Sequence, residues 1–310
     1  MKILISPSSF GKCGIKPLQI LEKTNYELIH NPYGRKLTEK EVIELGGKEL
    51  IGIVAGVEPL NQKVLNQLPN LKCISRVGVG LDSIDLKHAE SMDIKILNTP
   101  DGPTRAVAEL TIGLAMNLLR CITIADSNLK QKKWKKEIGN LILNKKVGIF
   151  GLGRIGKATA NLFQNLGACV QGYDLYPDIK YLEDNNINLV SIEELFKSSD
   201  IISIHVPGSK NNNPIINKDE LNLMKKNAYL INVSRGGVVE ETVLYELLKN
   251  NKIAGAALDV FLKEPYEGDF LKLNNVILTP HLGSYALEGK LKMEIDAVNN
   301  LINFLDKDKS

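Results

Sequence analysis

Apolar and polar positions alternate in two separate series along the 310-residue chain. In the first series, short apolar runs typical of strands alternate with stretches of helical spacing. The predicted strands are residues 2–5, 26–29, 50–54, 73–77 and 94–97. Helices are predicted at 38–45 and 61–65, with Thr38 and Glu41 as a capping box and Asn61 as a second cap. This alternation predicts βα units and a parallel sheet.

A connection rich in proline and glycine, residues 98–103, separates the first series from the second. One long helix is predicted to follow, from about Thr104 to Ile124, and its apolar circumference predicts burial between layers. The strands predicted for the second series are 146–150, 169–173, 201–205, 229–233, 254–258 and 276–278. A final amphipathic helix is predicted at 284–305. The simplest interpretation is an α/β protein with two parallel-sheet domains in tandem.

The charge balance narrows the classes of partner. The chain has 39 basic and 36 acidic residues, a net charge of +3, which is too balanced to predict binding to nucleic acid or an anionic membrane. The basic run at 130–136 is interpreted as a solvated helix end in preference to an anion-binding patch. No stretch approaches the roughly 18 apolar residues of a membrane span, and the apolar N-terminus is too short for a signal peptide.

Four cysteines bear on the cellular compartment: Cys13, Cys73, Cys121 and Cys169. No pair has C-x-x-C spacing, which argues against a zinc site and a disulfide framework. Three of them have apolar neighbours and are predicted to be buried free thiols. We therefore expect no metal and a reducing cytoplasm.

A glycine pattern marks a candidate nucleotide site. Gly151, Gly153 and Gly156 form G-x-G-x-x-G between an apolar run and a helical run. The first glycine permits a tight turn, the second a close approach of the backbone to a pyrophosphate, and the third close packing of helix on strand. The helix N-terminus would face the phosphates. The sequence thus predicts a dinucleotide-binding site.

Asp174 lies 18 residues after Gly156, at the end of the next predicted strand. A carboxylate at this place accepts hydrogen bonds from the adenosine ribose and repels a 2′-phosphate, so NAD is favoured over NADP. The alternative interpretation is a turn residue before Pro177.

Three polar side chains, Arg235, Glu264 and His281, lie at or just beyond the carboxyl ends of predicted parallel strands, where open α/β sheets bind ligands. A histidine can take the hydroxyl proton of a 2-hydroxy acid, and a carboxylate beside it orients the ring. An arginine can pair with the substrate carboxylate and polarise a carbonyl. Taken singly, Arg235 is also consistent with a turn residue and Glu264 with a surface loop.

The chain resembles the D-isomer-specific 2-hydroxyacid dehydrogenase family, which includes phosphoglycerate dehydrogenase and hydroxypyruvate reductase. The resemblance rests on seven motifs that occur in the order found in the family. They are RVGVGLDSIDL (76–86), NTP…AVAELTIGLAMNLLR (98–120), GIFGLGRIG (148–156), HVP (205–207), INVSRGG (231–237), ALDVF…EP (257–265) and TPHLGS (279–284). The resemblance covers nearly the whole chain.

The resemblance implies two doubly wound parallel-sheet (Rossmann/flavodoxin-like) domains with the active site in a cleft between them. A discontinuous substrate-binding domain would comprise 1–98 plus 286–310, and an NAD-binding Rossmann domain would comprise 99–285. Closure of the cleft would exclude water. The long helix after Asn98 would serve a homodimer interface.

The resemblance also implies roles for individual residues. Arg235, Glu264 and His281 would be catalytic. The substrate carboxylate would be held by the backbone of Val77, Gly78 and Val79, with Arg76 nearby. Besides the three glycines and Asp174, the residues expected to contact the cofactor are Arg154, Ile155, Val206, Pro207, Val233, Ser234, Asp259, Gly283 and Ser284.

Arg76 and the loop at residues 55–59 bear on the identity of the substrate. An arginine at position 76 resembles phosphoglycerate-type members, where it helps to hold an anionic substrate. The first expected substrate pair is therefore 3-phosphoglycerate/3-phosphohydroxypyruvate, which would place the protein in serine biosynthesis. Against it, loop 55–59 has no arginine, and Glu58 would repel a phosphate if it pointed inward. Hydroxypyruvate, glyoxylate or another 2-oxo acid is the alternative. Glu264 argues against the formate dehydrogenase branch, which has glutamine there.

Two further classes remain as alternatives. One is an NAD-sensing binding protein that resembles transcriptional corepressors of this fold, and the other is a hydrolase that keeps NAD bound. Because the chain ends at residue 310, no serine-binding regulatory domain is expected.

Overall fold

The computed structural model describes residues 1–209 and 213–307, which divide into two units. The first unit is Met1–Pro103 together with the C-terminal residues from Ser284, and the second is Thr104–Gly283. The sequence placed the divisions after residues 98 and 285, and residues 308–310 of its first domain lie outside the described residues. Each unit is built on a parallel sheet, so the predicted α/β class with two parallel-sheet domains is confirmed.

The elements are numbered in chain order. The strands β1 to β12 are Lys2–Ile5, Glu27–His30, Leu50–Ala55, Cys73–Arg76, Lys95–Leu97, Lys146–Phe150, Cys169–Tyr173, Asn188–Leu189, Ile201–Ile204, Tyr229–Asn232, Gly255–Leu258 and Val276–Leu278. The helices α1 to α12 are Lys16–Glu22, Glu39–Gly46, Gln62–Leu65, Leu86–Ser91, Gly102–Arg120, Ile122–Lys130, Arg154–Asn165, Ile179–Asp184, Ile192–Ser198, Lys218–Asn222, Glu241–Lys249 and Leu287–Lys307. A 3₁₀ turn covers Asp269–Lys272.

The first unit has the strand order β2-β1-β3-β4-β5, with every neighbouring pair parallel. All six residues of β3 are buried, as expected for a parallel strand covered on both faces. The C-terminal helix α12 packs on one face, where a Cβ on Gly52 would lie 3.0 Å from Leu301. The core of the first unit therefore includes the last helix of the chain.

The second unit has the strand order β12-β11-β10-β9-β6-β7-β8, again all parallel. Helices α5 and α7 contribute Leu114 and Phe163 to the core on one face, and α9 and α11 contribute Phe196 and Leu244 on the other. The strand order reverses between β6 and β9. In doubly wound sheets, the crevice at such a switch point is the place where nucleotides bind.

Local signals predicted two helix starts correctly. The Thr38 hydroxyl accepts a hydrogen bond from the Glu41 N–H, and the Glu41 carboxylate accepts from the Thr38 N–H at 2.8 Å. At α3, the Asn61 side chain accepts from the Val64 N–H at 3.2 Å. Both caps satisfy N–H groups that have no partner inside their helices.

The prediction of one continuous helix from Thr104 to Ile124 is wrong. Helix α5 ends at Arg120, Cys121 adopts the left-handed conformation with φ 54° and ψ 35°, and α6 starts at Ile122. The Asn117 side chain stabilises the break, since its oxygen accepts from the Thr123 N–H at 2.9 Å. The two helices are bent by 62°, and none of the described helices taken alone has the length and apolar character of a membrane span.

The expectation of three buried cysteines is also wrong. Only Cys73 is buried, and burial raises the pKa of its thiol to about 12. Cys13 and Cys121 are half-buried. Cys169 is exposed because it is the first residue of β7, at the amino ends of the strands. All four are free thiols.

Candidate active site

The loop after β6 brings the three glycines of the pattern to the carboxyl edge of the second sheet. Gly151 has φ 97°, and a Cβ there would lie 2.8 Å from the carbonyl oxygen of His205. A Cβ on Gly156 would lie 1.9 Å from the Gly151 oxygen, so α7 packs directly on the loop. Gly153 has nothing within 4 Å of its Cβ position. Two glycines therefore allow close packing inside the protein, and the third leaves an open approach to the backbone.

Asp174 follows β7 and lies against this loop. Its Oδ2 accepts from the Leu152 N–H at 2.6 Å, and its Oδ1 accepts from the Tyr176 N–H at 2.8 Å. Arg154 and Ile155 form the first turn of α7, where backbone N–H groups have no partner within the helix. The open glycine, the helix N-terminus and the carboxylate together fit a dinucleotide.

Strands β9 and β10, which follow β6 in the order of the sheet, lead into loops at the same edge. The Val206 side chain would lie 2.7 Å from a Cβ on Gly151, and Pro207 follows it beyond the end of β9. Val233 and Ser234 follow β10, and Asn232 accepts from both the N–H and the hydroxyl of Ser234. These residues lie at one edge of the sheet because their strands are parallel neighbours.

Glu264 and His281 are in direct contact. Glu264 lies beyond the end of β11 and His281 beyond β12, and the distance from Glu264 Oε2 to His281 Nδ1 is 2.9 Å. The other carboxylate oxygen accepts from the Phe261 N–H at 3.1 Å. The His281 side chain is 48% exposed, so the ring is open to a ligand. This pair is a carboxylate-oriented imidazole, an arrangement suited to proton transfer.

Asp259 fixes the loop that carries the histidine. Its carboxylate is fully buried and accepts from the N–H groups of Leu282 at 2.7 Å and Gly283 at 2.8 Å, and from the Thr279 hydroxyl at 2.6 Å. Its carbonyl oxygen accepts from the His281 N–H at 2.8 Å. These bonds hold His281 at φ 56°, a left-handed conformation that is strained for a side chain of this size. Sequence reasoning expected Asp259 to line a cofactor pocket and missed this positioning role.

Arg235 lies on the neighbouring loop, after β10. Its carbonyl oxygen accepts from the Asn232 side chain at 3.1 Å. A Cβ on Gly236 would lie 1.8 Å from the Phe261 oxygen, so the backbone after Arg235 packs against the backbone that leads to Glu264. The structure thus joins Glu264 to His281 by a hydrogen bond and places Arg235 on a loop in backbone contact with theirs.

Sequence reasoning also missed Glu241, the first residue of α11. Its Oε1 accepts from the Leu262 N–H at 2.6 Å, two residues before Glu264. Burial raises the pKa of Glu241, and the nearby charge of Glu264 raises it further. An acidic residue in a first helical turn is ordinary, so the sequence carried no signal for this contact.

The remaining expected residues belong to the first unit. Arg76 ends β4, and Gly78, with φ 134°, donates its N–H to the Thr99 hydroxyl at 2.7 Å. The Val79 carbonyl accepts from Asn98 at 2.9 Å. The loop of Val77, Gly78 and Val79 is therefore fixed by the segment after β5. The chain returns to the first unit at Ser284.

Among the described residues, no group of three or more His, Cys, Asp or Glu side chains is placed to hold a metal ion.

Comparison with known proteins settles the family. Residues 112–283, more than half of the chain, match the family model described as D-isomer specific 2-hydroxyacid dehydrogenase, NAD binding domain. The chain belongs to the D-isomer specific 2-hydroxyacid dehydrogenase family. The resemblance drawn from the seven motifs is thereby confirmed, and the glycine loop lies in the family's NAD-binding domain.

Proteins named for different activities are similar to the chain. D-3-phosphoglycerate dehydrogenase of Methanocaldococcus jannaschii is 38% identical over 82% of this chain and 49% of that protein. Hydroxypyruvate reductase of Thermotoga maritima is 33% identical over 92% of this chain and 96% of that protein. The structure of NADPH-dependent glyoxylate/hydroxypyruvate reductase from Sinorhizobium meliloti has a TM-score of 0.85 and 28% identity, over 98% of this chain and 94% of that one. The chain spans about half the length of the D-3-phosphoglycerate dehydrogenases that it matches.

The glycine loop allows a matched pair of substitutions. Gly156→Ala places a methyl group on the Gly151 oxygen and is expected to cost about 1–3 kcal/mol of unfolding free energy, as for overpacking. Gly153→Ala meets open space and is expected to change stability by less than about 1 kcal/mol, while weakening NADH binding at least tenfold. Thermal denaturation and NADH titration measure the two effects. Equal stability of the two variants would contradict the packing described for Gly156.

Proposed function

We propose that this chain is an NAD-dependent oxidoreductase that transfers a hydride between nicotinamide and C2 of a small D-2-hydroxy or 2-oxo acid. The observation that carries the proposal is the hydrogen bond between Glu264 and His281 at the carboxyl edge of a sheet whose glycine loop fits a dinucleotide. Membership of the family supports the proposed D-stereochemistry.

His281 moves the proton that accompanies the hydride. With Nδ1 facing the Glu264 carboxylate, Nε2 is the ring atom left to face the substrate oxygen. In oxidation, Nε2 takes the hydroxyl proton while the hydrogen on C2 leaves with its electron pair. In reduction, the protonated ring returns that proton to the oxygen. The bound nicotinamide supplies the acceptor or donor of the hydride.

Arg235 binds and polarises the substrate in this proposal. Its guanidinium can donate to both the carboxylate and the C2 oxygen of a 2-oxo acid, which lysine cannot do with the same planar geometry. The substrate carboxylate is proposed to bind at the loop of Val77, Gly78 and Val79, as family resemblance implies. In this structure the N–H groups of Val77 and Gly78 donate to the Ala55 carbonyl oxygen and the Thr99 hydroxyl, and these two bonds fix the loop.

The cofactor is proposed to be NAD rather than NADP. Asp174 is held by two backbone N–H groups at the end of β7, where its charge would repel a 2′-phosphate. The residues proposed to contact the cofactor are Gly151, Gly153, Arg154, Ile155, Gly156, Val206, Pro207, Val233, Ser234, Gly283 and Ser284.

Two substrate classes remain open. Arg76 favours an anionic substrate such as 3-phosphoglycerate, for which the M. jannaschii relative is named. The pathway would then be serine biosynthesis. The buried position of Glu58 favours hydroxypyruvate or glyoxylate, and the T. maritima relative is named for the former.

Substitution of the histidine tests the proposed chemistry. His281→Ala is expected to lower kcat roughly 100- to 10,000-fold, the usual contribution of a general acid–base group, and to leave NADH affinity nearly unchanged. The matched control is His88→Ala, because His88 lies in the first unit and is bonded to Asn66. Steady-state kinetics and NADH titration give the two quantities. A fully active His281→Ala variant would refute the assignment.

We also propose that the protein forms a homodimer through α6 and the segment after it. Large apolar side chains are exposed there, including Leu129 at 57%, Trp134 at 82% and Ile138 at 98%. A groove of about 510 Å³ between α5 and α6 is lined by Met116, Arg120, Ile122, Ala125, Asp126 and Leu129. Exposed large apolar side chains next to such a groove support an interaction site here.

Sedimentation equilibrium of the purified chain tests the dimer. The expected mass is about twice the 34.3 kDa of one chain, because a second copy would cover this surface. Trp134→Glu is expected to shift the equilibrium towards the monomer. A monomeric wild-type protein at micromolar concentration would contradict the proposal.

A further inference from the structure

The turn that carries Glu264 is exposed along its length and fixed at its ends. Residues 262–265 are exposed, whereas Phe261 before them is buried and stacks on Tyr266 after them, with the ring centroids 4.1 Å apart. Tyr266 also stacks on Phe270, with the centroids 5.9 Å apart. The aromatic rings therefore hold the two ends of the turn, but the core does not hold the residues between them.

The middle of this turn is held by a side chain from another element. Among the described residues, none of the backbone-to-backbone hydrogen bonds has its donor or acceptor in 262–265. The Glu241 carboxylate supplies a bond instead, since its Oε1 accepts from the Leu262 N–H at 2.6 Å. The Leu262 side chain is 67% exposed, so its burial does not fix the backbone. The bond to Glu241 therefore fixes a part of the turn that the core leaves in solvent.

Glu241 lies at the far end of the segment that begins with Arg235. Residues 235–241 connect the loop after β10 to α11, and α11 is anchored in the core by Leu244. A Cβ on Gly236 would lie 2.6 Å from the Leu262 nitrogen, so the segment already contacts the turn through its backbone. The Glu241 carboxylate adds a second contact to the same nitrogen from the first turn of an anchored helix.

Leu262 lies between the two residues that the next hydrogen bond joins. The Phe261 N–H donates to Glu264 Oε1 at 3.1 Å, which closes the turn, and Glu264 Oε2 lies 2.9 Å from His281 Nδ1. A movement of the backbone at Leu262 therefore moves the Glu264 carboxylate relative to the ring. Because water competes for an exposed carboxylate, its contact with His281 depends on a fixed backbone.

We propose that Glu241 is a positioning residue for the proton transfer: by holding the Leu262 N–H, it keeps the Glu264 carboxylate on Nδ1 of His281. This inference rests on the proposed function, because it assigns the proton transfer to His281. Glu241 acts through Glu264 and takes no part in binding the substrate or the cofactor. Its loss is therefore expected to lower kcat and to leave the affinity for NADH unchanged.

Two substitutions of Glu241 separate the hydrogen bond from the rest of the side chain. Glu241→Ala removes the acceptor and is expected to lower kcat about tenfold in NADH oxidation by the full chain, with hydroxypyruvate or glyoxylate as the acceptor. Glu241→Gln keeps an acceptor oxygen and is expected to restore kcat to within about threefold of the wild-type value. NADH titration is expected to give the wild-type affinity for both variants. Equal losses of kcat in the two variants would overturn the inference.

The matched control is Glu240→Ala. Glu240 precedes Glu241 and has the same charge, but its side chain makes no capping hydrogen bond at the start of α11. This variant should keep the wild-type kcat, and a loss equal to that of Glu241→Ala would overturn the inference.

A double-mutant cycle tests whether Glu241 acts through Glu264. In a Glu264→Ala background there is no carboxylate to position, so Glu241→Ala is expected to lower kcat by less than about twofold further. A further loss of about tenfold would overturn the inference, because independent effects multiply.

Amide hydrogen exchange, followed by NMR, tests the positioning without any turnover. The Leu262 N–H reports on its bond to Glu241, and the Phe261 N–H reports on its bond to Glu264. Glu241→Ala is expected to speed the exchange of both by about tenfold or more, and Glu241→Gln is expected to leave both at the wild-type rate. Faster exchange at Leu262 alone would overturn the inference, because Glu264 would then keep its place without Glu241. If the wild-type chain turns over no 2-oxo acid, the proposed activity fails, and exchange at Phe261 decides whether Glu241 positions Glu264.

Discussion

The buried carboxylate of Asp259 is the constraint on which the candidate active site depends. Three donors from the segment after β12 converge on it, and they hold His281 in a left-handed conformation that is uncommon for residues other than glycine. A buried carboxylate is stable only with such a full set of donors. The position of His281, and with it the contact to Glu264, therefore follows from hydrogen bonds made inside the fold.

The parallel sheet explains why these residues meet. The strands β10, β11 and β12 are consecutive neighbours, so the loops that carry Arg235, Glu264 and His281 leave the same edge side by side. Gly236 removes the Cβ that would separate the first of these loops from the second. The glycine loop after β6 leaves this edge as well, next to β9, where the strand order reverses. The topology thus places the open approach to the Gly153 backbone and the hydrogen-bonded pair of Glu264 and His281 at the same edge of the sheet.

Sequence reasoning succeeded where the determinant is local or periodic. All strands except the two-residue β8, the caps at Thr38 and Asn61 and the glycine loop were predictable because alternation, capping chemistry and glycine spacing act over a few residues. It failed where a tertiary partner decides. The break at Cys121 depends on the side chain of Asn117, and the buried position of Glu58 depends on a hydrogen bond with Ser6, which follows another strand. The orienting bonds of Asp259 join segments about 20 residues apart, for which no short motif exists.

The most direct test of the central claim is the oxidation of NADH by the purified wild-type chain, followed at 340 nm with glyoxylate and hydroxypyruvate as acceptors. The account predicts many turnovers per protein molecule, dependent on the 2-oxo acid, and slower rates when NADPH replaces NADH. Tight binding of NADH without turnover of any 2-oxo acid would contradict it and would indicate a protein that binds the cofactor as a sensor. Faster turnover with NADPH would contradict the role given to Asp174.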